Sequence, residues 1–183
     1  MNTSYLIIGI VAVVVLYVWM TYNSLVVLKA RIKEALSGID VQLKRRIDLI
    51  PNLIETVKGY AKHEREIFEN VTKARADMMS AGNVSDKLKA NDQMTGALKS
   101  IFALAENYPN LKANENFVQL QRQLEDTEDK IAYSRQFFNS NILEYNTSIM
   151  TFPNSMIASG FGFTAEKFFE ATDDERKKVD VKF

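Results

Sequence analysis

Cysteine is absent from this 183-residue chain, and glycine, with 7 residues, and proline, with 3, are scarce. The lack of cysteine excludes disulfide bonds, thiolate metal ligands and a cysteine nucleophile. Few glycines and prolines, in a chain rich in helix-forming residues, favour long helices over the turn-dense pattern of a β-sandwich. The 23 basic and 23 acidic residues cancel to a formal net charge of zero. The chain therefore lacks the cationic excess that binds a phosphate backbone, and nucleic acid is not expected as a partner.

Charge is also absent from the N-terminus, since residues 1–28 contain no charged side chain. The run from Leu6 to about Tyr22 is almost entirely aliphatic or aromatic. At a rise of about 1.5 Å per residue it is just long enough to cross a hydrocarbon core of about 30 Å. Aromatic residues near its two ends match the belts found at membrane interfaces, and they are Tyr5, Tyr17, Trp19 and Tyr22. The run is therefore predicted to be a transmembrane helix whose partner is the lipid bilayer.

A cleavable signal peptide and a buried core helix are the alternative interpretations of this run. A signal peptide normally begins with basic residues and ends at a small-x-small cleavage site, and neither feature is present here. A core helix that is apolar on every side is uncommon in a soluble domain. Lys29, Arg31 and Lys33 follow the run, and no basic residue precedes it. The positive-inside rule then predicts an external N-terminus and a cytoplasmic C-terminal domain.

Beyond this run, apolar residues recur at steps of three and four through residue 78, which predicts a helix continuous with the membrane segment. The predicted fold is all-α, with an N-terminal transmembrane helix continuous with a four-helix, up-and-down, coiled-coil-like bundle. We predict a short external N-terminus and the transmembrane helix over 1–23, a cytoplasmic bundle over 24–175, and a charged tail over 176–183. The bundle helices are predicted at about 24–80, kinked near Pro51, and at 85–107, 115–152 and 164–172. The first is longer than its neighbour can cover, which favours self-association near the membrane or burial by a different protein.

Short motifs spread along the chain resemble those of one known family. They are RIDLIPNL at 46–53, VKGY at 57–60, HE at 63–64, YPNLKAN at 108–114, LQ at 120–121, TE at 127–128, SR at 134–135, YN at 145–146 and FP at 152–153. In this order they resemble the signatures of the LemA family over nearly the whole chain. The resemblance implies a bacterial inner-membrane protein with its N-terminus outside, one span and a four-helix bundle in the cytoplasm. It implies no established enzymatic activity.

The segment around Pro51 is a predicted kink and a candidate docking surface. Proline lacks an N–H and crowds the preceding turn, so the carbonyl of Ile47 loses its helical partner. Asn52 is close enough in sequence to supply a donor to that carbonyl. The residues assigned to this region are Arg46, Asp48, Pro51 and Asn52. Either they serve only the kink, or the irregular backbone displays groups to a partner protein.

Polar residues spaced by seven recur along the predicted helix 115–152. They are Gln121, Glu128 and Arg135 in one set, and Asn139 and Asn146 in another. Buried polar residues at heptad positions set helix register and partner choice at some cost in stability. We predict that these residues form interhelical hydrogen bonds that set register, with a solvated helix face as the alternative. Neither interpretation requires a ligand.

The sequence contains no recognisable catalytic or metal-binding motif. His63 lies near Glu64 and Glu66, but it is the single histidine of the chain, and helical di-iron and zincin sites each need more than one. We therefore expect no catalytic residue, no metal site and no cofactor. The aromatic residues of 161–163 and 168–169 must be buried against something, which is either their own bundle, a neighbouring subunit or the membrane surface.

The function predicted from these features is that of a membrane-anchored, non-enzymatic helical scaffold. It self-associates as a homo-oligomer at the cytoplasmic face of the inner membrane, because the long heptad-like stripe needs apolar cover. The alternative is an adaptor or regulatory binding module, in which the Pro51 region docks another membrane or cytosolic protein.

Overall fold

The computed structural model describes residues 3–169, apart from the side chain of Leu88. Within this range the chain forms helices and irregular connections without a β-strand, so the predicted all-α class is confirmed. The helices are α1 Thr3–Lys58, α2 Arg65–Ser80, α3 Val84–Glu106, α4 Pro109–Lys112, α5 Glu115–Met150 and α6 Asn154–Gly160. The predicted tail over 176–183 lies outside the described residues.

The chain divides into two compact units. One, called here the terminal unit, combines Met1–Leu36 with Gln136–Phe183. The other, called the middle unit, consists of Ser37–Arg135. Helices α1 and α5 each contribute residues to both units.

Four long helical segments, which are the last part of α1, then α2, α3 and the first part of α5, form most of the middle unit, and the short α4 also belongs to it. Each long segment carries apolar residues at steps of three or four, the period that places side chains on one face of a helix. Their buried members include Ile39, Ile50, Leu53, Val57, Val71, Met94, Ile101, Phe117 and Leu124. The core of this unit therefore follows from the predicted apolar stripes.

The first bundle helix is shorter than predicted. Helix α1 continues through Pro51 and ends at Lys58, and α2 begins at Arg65, so the single helix predicted over 24–80 is wrong. The helix stops before Gly59, and glycine is a poor helix former, which was the sequence signal available for this break. As a result, α2 takes the place of the fourth bundle helix.

The helix predicted over 164–172 is wrong over its described part. Residues 164–169 are non-helical, and residues 170–172 lie outside the described range. The physical reason is that backbone groups of Glu166 and Phe169 bond to side chains of α5 rather than to neighbouring peptide groups.

Helix α6, which the sequence did not predict, ends in a Schellman turn. Gly162 has a positive φ of 74°, a conformation that favours glycine. The N–H of Phe163 donates to the carbonyl of Ala158 at 2.9 Å, and that of Gly162 donates to the carbonyl of Ser159 at 3.3 Å. This turn directs the chain back into the 164–169 segment.

The N-terminal part of α1 is the candidate membrane span of the described residues. An 18-residue window has a mean hydropathy of 2.2, and none of it is buried by the rest of the chain. A core helix of this composition would be mostly buried, so the exposure favours a membrane span over that alternative.

Beyond the span, the apolar stripe of α1 is covered inside the terminal unit. The buried residues on this stretch are Leu25, Leu28, Ile32 and Ala35. The sequence predicted that part of this stripe would be left without cover, and for these positions that prediction is wrong. Helix α5 and the 164–169 segment supply neighbours to this stretch, as the Lys29–Glu166 and Arg31–Glu144 ion pairs show.

Candidate functional site

The middle unit contains a buried arginine, Arg46, which is only 3% exposed. Its Nη1 donates to Oδ1 of Asn91 at 2.5 Å, and its Nη2 donates to Oγ1 of Thr95 at 3.0 Å. The same Nη1 lies 2.6 Å from Oε2 of Glu128 on α5. The guanidinium thus joins α1, α3 and α5, so Arg46 does not belong to an exposed docking surface.

Burial sets the electrostatics of this cluster. Desolvation lowers the pKa of Arg46, and the nearby carboxylates of Glu128 and Asp92 act in the opposite direction. An arginine remains protonated at neutral pH even when its pKa is lowered. The cluster is therefore a permanent buried cation with a half-exposed anionic partner, an arrangement that constrains helix position rather than one that transfers protons.

The carbonyl of Ile47, left without a helical donor by Pro51, is bonded by a different residue from the one that the sequence indicated. The Nε–H of Arg75 on α2 donates to this oxygen at 3.2 Å. Asn52, the predicted donor, is instead exposed, and its own carbonyl accepts a bond from the hydroxyl of Thr56 at 2.8 Å. The proline position is therefore stabilised by contact between α1 and α2.

Of the proposed docking residues, Asp48 and Asn52 are exposed. Asp48 forms an ion pair with Lys44 at 2.5 Å along the same helix face. Asn52 lines a shallow cavity of about 450 Å³ between α1 and α5 in the middle unit. The region can contact a partner through these two side chains but not through Arg46.

Two asparagines of α5 hold the 164–169 segment through paired hydrogen bonds. The amide of Asn146 accepts from the N–H of Glu166 at 2.9 Å and donates to the carbonyl of the same residue at 2.9 Å. The amide of Asn139 does the same with Phe169, at 2.7 and 2.8 Å. Each side chain thereby replaces both partners that a β-strand neighbour would supply.

The geometry of a helix and of an extended chain explains why asparagines seven residues apart on α5 hold this segment. Seven helical residues rise about 10.5 Å, and three residues of extended chain span about 10 Å. Glu166 and Phe169 are three residues apart, so an extended segment places both peptide groups opposite Asn146 and Asn139. The predicted hydrogen bonds of these asparagines exist, but their partner is a non-helical backbone rather than another helix.

Tyr145 adds a third contact to the same segment. Its side chain is fully buried, and its hydroxyl donates to the carbonyl of Thr164 at 3.0 Å. Burial raises the pKa of this hydroxyl, an effect that Lys29 opposes and Glu166 reinforces. The sequence analysis did not assign Tyr145 to a site. The available signal was its hydroxyl, a polar group on the otherwise apolar stripe of α5.

The remaining members of the heptad-spaced set have different surroundings. Gln121 bonds locally to Glu125 on α5 at 3.1 Å, whereas Glu128 reaches Arg46 on α1. Arg135 is half-buried. Equal spacing in sequence therefore gives a local pair at Gln121 and an interhelical pair at Glu128. A register-setting role for Gln121, Glu128 and Arg135 remains a proposal.

A basic groove beside α2 in the middle unit has a volume of about 820 Å³. Its lining combines cations with an aromatic ring: Lys58, Lys62, Arg65, Lys73 and Phe68, together with Glu69, Thr72 and Ala76. The Nζ of Lys58 lies 5.9 Å from the centroid of the Phe68 ring. The groove offers positive charge around an apolar floor, a surface complementary to an acidic segment that carries an apolar side chain.

The aromatic residues predicted as interface anchors lie on α1, and two of them contact the chain beyond α5. The hydroxyl of Tyr17 donates to Oδ1 of Asn154 at 2.6 Å. The ring of Tyr22 contacts those of Phe161 and Phe163, with centroid distances of 5.0 and 5.7 Å. Tyr5 and Trp19 are exposed.

Within residues 3–169 the structure contains no cluster of side chains suited to binding a metal ion. In that range no group of three metal-ligating side chains comes together, and His63 is exposed. The perturbed titratable groups belong to ion pairs and buried contacts that have structural partners. The polar clusters of the described chain thus connect segments of the chain to one another.

Comparison with known proteins identifies relatives over most of the chain. The sequence model described as LemA family matches residues 35–183. The chain is 24% identical over 176 residues to Magnetosome protein MamQ of Magnetospirillum gryphiswaldense, covering 82% of this chain and 65% of that protein. It is 28% identical over 154 residues to Protein LemA of Metamycoplasma hominis, covering 82% of this chain and 69% of that protein. The chain thus spans about two thirds of the length of these relatives.

Proposed function

This chain belongs to the LemA family, and we propose that it is a non-enzymatic helical scaffold, anchored in the bacterial inner membrane, that self-associates at the cytoplasmic face. The candidate span of α1 supports the anchoring, and the names of the relatives reported above specify no reaction. The polar clusters support a structural role, because Arg46, Asn139 and Asn146 direct their side-chain hydrogen bonds to other segments of the same chain.

The cations that follow the span support a cytoplasmic bundle and an external N-terminus. Lys29, Arg31 and Lys33 lie within three turns of the last span residues, where basic side chains favour the cytoplasmic side. The absence of native cysteine permits a direct test with single-cysteine variants. A membrane-impermeant maleimide applied to intact spheroplasts reaches only the outer side of the cytoplasmic membrane. It is expected to label Asn2→Cys in intact spheroplasts and Ser100→Cys only after lysis. The reverse labelling pattern would refute this orientation.

The observation that best supports self-association is an exposed aliphatic surface close to the span. Val26 and Val27 on α1 and Leu143 on α5, all in the terminal unit, remain exposed although neighbouring apolar residues are buried. Large apolar side chains left exposed on a folded surface are typical of interaction sites. We infer that a second copy covers these side chains, because Val26 and Val27 directly follow the segment that brings copies into one membrane, and Leu143 precedes Glu144, which pairs with Arg31 of α1.

This interface can be tested through the mass of the full-length protein in mild detergent at micromolar concentration. The native chain is expected to form a discrete oligomer, and the double variant Val27→Ser with Leu143→Ser is expected to dissociate. The matched control is Val41→Ser, which removes an exposed valine of α1 in the middle unit. A native protein that is strictly monomeric would overturn self-association, and equal dissociation by the control would overturn this choice of surface.

The basic groove beside α2 favours the adaptor as a second candidate function. Four cations surround Phe68, a chemistry that fits an acidic segment of another protein with an apolar anchor. The double variant Lys62→Glu with Lys73→Glu is expected to release such a partner in a pull-down of intact protein, whereas Lys99→Glu on α3 is expected to retain it. Asn52→Ala tests the alternative groove between α1 and α5 in the same assay. If all three variants retain the partner, neither groove is the binding surface of an adaptor.

A further inference from the structure

We propose that the segment Tyr145–Ala165 is a second membrane-contact element, which lies in the headgroup–acyl boundary of the bilayer beside the span of α1. Its occupant is lipid, which covers the exposed apolar side chains of α6 and its flanking turns. The inference rests on the anchoring part of the proposed function and is independent of self-association.

The first observation is the lack of charge along this segment. From Tyr145 to Ala165 there is no Asp, Glu, Lys, Arg or His, and the residues are mainly apolar, aromatic, Ser, Thr and Asn. Charged side chains are costly inside a membrane, so a stretch without them is compatible with contact with lipid. The stretch begins in the last turns of α5 and includes the first two residues of the 164–169 segment.

The charges that bracket this segment pair with the first cations after the span. Glu144, the last charge before the segment, lies 4.0 Å from Arg31, and Glu166, the first charge after it, lies 3.4 Å from Lys29. Three passes of the chain therefore change from uncharged to charged sequence at the same level. A single boundary between membrane and water accounts for all three changes.

Direct contacts place α6 beside the span itself. Asn154, at the start of α6, accepts the hydrogen bond from Tyr17, and Phe161, at its end, contacts the ring of Tyr22. Tyr17 is 12 residues before Lys29, about 18 Å along the helix axis. The polar layer of a bilayer is only about 5–8 Å thick on each side. A group bonded to Tyr17 is therefore too far from Lys29 to remain in water while α1 spans the membrane.

Side-chain exposure agrees with this position. Within the uncharged segment, Phe152 is 81% exposed and Met156 is 69% exposed. In the same unit, an apolar cavity of about 360 Å³ is lined by Val14, Val15, Val18, Trp19, Tyr22 and Phe161. Acyl chains fit both the cavity and the exposed side chains, because each presents hydrocarbon to its surroundings.

The backbone of the turns is also suited to an environment poor in water. Ser155 donates its N–H to the carbonyl of Thr151 at 2.8 Å, and the Schellman turn supplies bonds from Gly162 and Phe163. Unsatisfied peptide groups are costly in lipid, so internal bonding at both ends of α6 is what membrane contact requires.

The test uses depth-dependent fluorescence quenching in phosphatidylcholine vesicles whose acyl chains carry bromine. Trp19 is the single tryptophan of the native chain and reports the anchor. Full-length chains carrying Trp19→Phe with Met156→Trp, or Trp19→Phe with Phe152→Trp, report the proposed element. We expect each to lose fluorescence with brominated lipid to an extent comparable to Trp19. The control, Trp19→Phe with Tyr133→Trp, labels an exposed position of the middle unit and is expected to lose none.

The outcomes separate this inference from the proposed function. If Trp19 is quenched while both reporter variants behave like the Tyr133→Trp control, the second contact is refuted and the anchor stands. If Trp19 itself is not quenched, the anchoring fails, and this inference fails with it. If the reporters are shielded from both brominated lipid and aqueous acrylamide, another copy covers the surface and the lipid assignment is refuted. Unchanged helicity in circular dichroism confirms that the reporter variants are folded.

Discussion

Arg75 donates its Nε–H to the carbonyl oxygen of Ile47 at 3.2 Å, a contact that links α2 to α1 one turn before Pro51. In an uninterrupted helix this oxygen would accept the N–H of residue 51, which proline does not have. The side chain of a second helix thus replaces a missing backbone donor. This relationship explains how α1 continues through Pro51 as part of a single element.

We first predict that Arg75→Met destabilises the native chain by about 1–3 kcal/mol, because it leaves a buried carbonyl without its donor. In a Pro51→Ala background the same change is expected to cost less than about 1 kcal/mol, since alanine restores the backbone N–H. Denaturation of the full-length chain in mild detergent, followed by circular dichroism, measures both costs.

A matched control for this cycle is Arg65→Met. Arg65 is an exposed arginine of the same helix, and its partner is Glu69 one turn away. Its removal is expected to change stability by no more than about 0.5 kcal/mol. Equal costs of Arg75→Met with and without Pro51 would show that the contact does not compensate for the proline.

A second prediction concerns the buried guanidinium of Arg46. Glu128→Gln keeps the shape of the side chain but removes its charge, so we expect a loss of about 1–2 kcal/mol, limited by the partial exposure of Glu128. The double variant Arg46→Leu with Glu128→Leu is expected to lose less than the sum of its single variants, because no charge is left buried alone. Additive losses in denaturation experiments would contradict this coupling.

The exposed pair of Lys44 and Asp48 serves as the comparison for that experiment. Asp48→Asn removes the same type of charge from an ion pair on the surface of α1. We expect a change between zero and about 1 kcal/mol, because solvent screens the pair. Asp48→Asn also tests whether Asp48 contributes to partner binding, since it leaves the fold nearly unchanged.

A third prediction is that the asparagines of α5 protect the backbone of the 164–169 segment. Asn146→Ala removes both hydrogen bonds to Glu166, so the amide of Glu166 is expected to exchange with solvent at least about tenfold faster. Asn139→Ala should have its larger effect at Phe169. Hydrogen exchange measured at single residues distinguishes the two positions, with Ser140→Ala as the control on the same helix. Uniform protection in all variants would mean that the segment is held by other contacts.

The fourth prediction is a loss of stability in alkali that depends on Tyr145. Burial raises the pKa of its hydroxyl in the folded chain, while the unfolded value stays near about 10. The folded state therefore favours the neutral phenol, and its contribution is present below the unfolded pKa and lost as the pH rises through the raised value. Tyr145→Phe should be less stable at neutral pH, because the bond to Thr164 is absent, but its stability should fall less steeply above about pH 10. Parallel pH profiles of the two chains would refute the assignment.

Several parts of the fold followed from local sequence alone. The predicted helices 85–107 and 115–152 agree closely with α3 Val84–Glu106 and α5 Glu115–Met150, because apolar periodicity and the flanking turn residues define them. The break after Lys58 was missed because Pro51 is a stronger local signal than Gly59. The missing N–H of Pro51 is replaced by Arg75, which is 28 positions from its hydrogen-bond acceptor Ile47 in sequence.

The polar residues show the same division between local pattern and tertiary contact. Spacing by seven correctly indicated that Asn139 and Asn146 act from one helix face, but not that their partner is a non-helical segment. Arg46 was assigned to the candidate docking region because it lies close to Pro51 in sequence. Its burial depends on three partners from α3 and α5, which periodicity within α1 cannot reveal.

The sequence by itself determined the helical class, the uncharged candidate span and the family, because composition, apolar periodicity and motifs are properties of neighbouring residues. The tertiary structure decided which polar groups meet: Arg75 with Ile47, Arg46 with Glu128, and the α5 asparagines with the backbone of 164–169. It also placed α6 against the span through Tyr17 and Asn154. These contacts join residues far apart in the chain, and their geometry exists only after packing of the helices has brought donors and acceptors within about 3 Å.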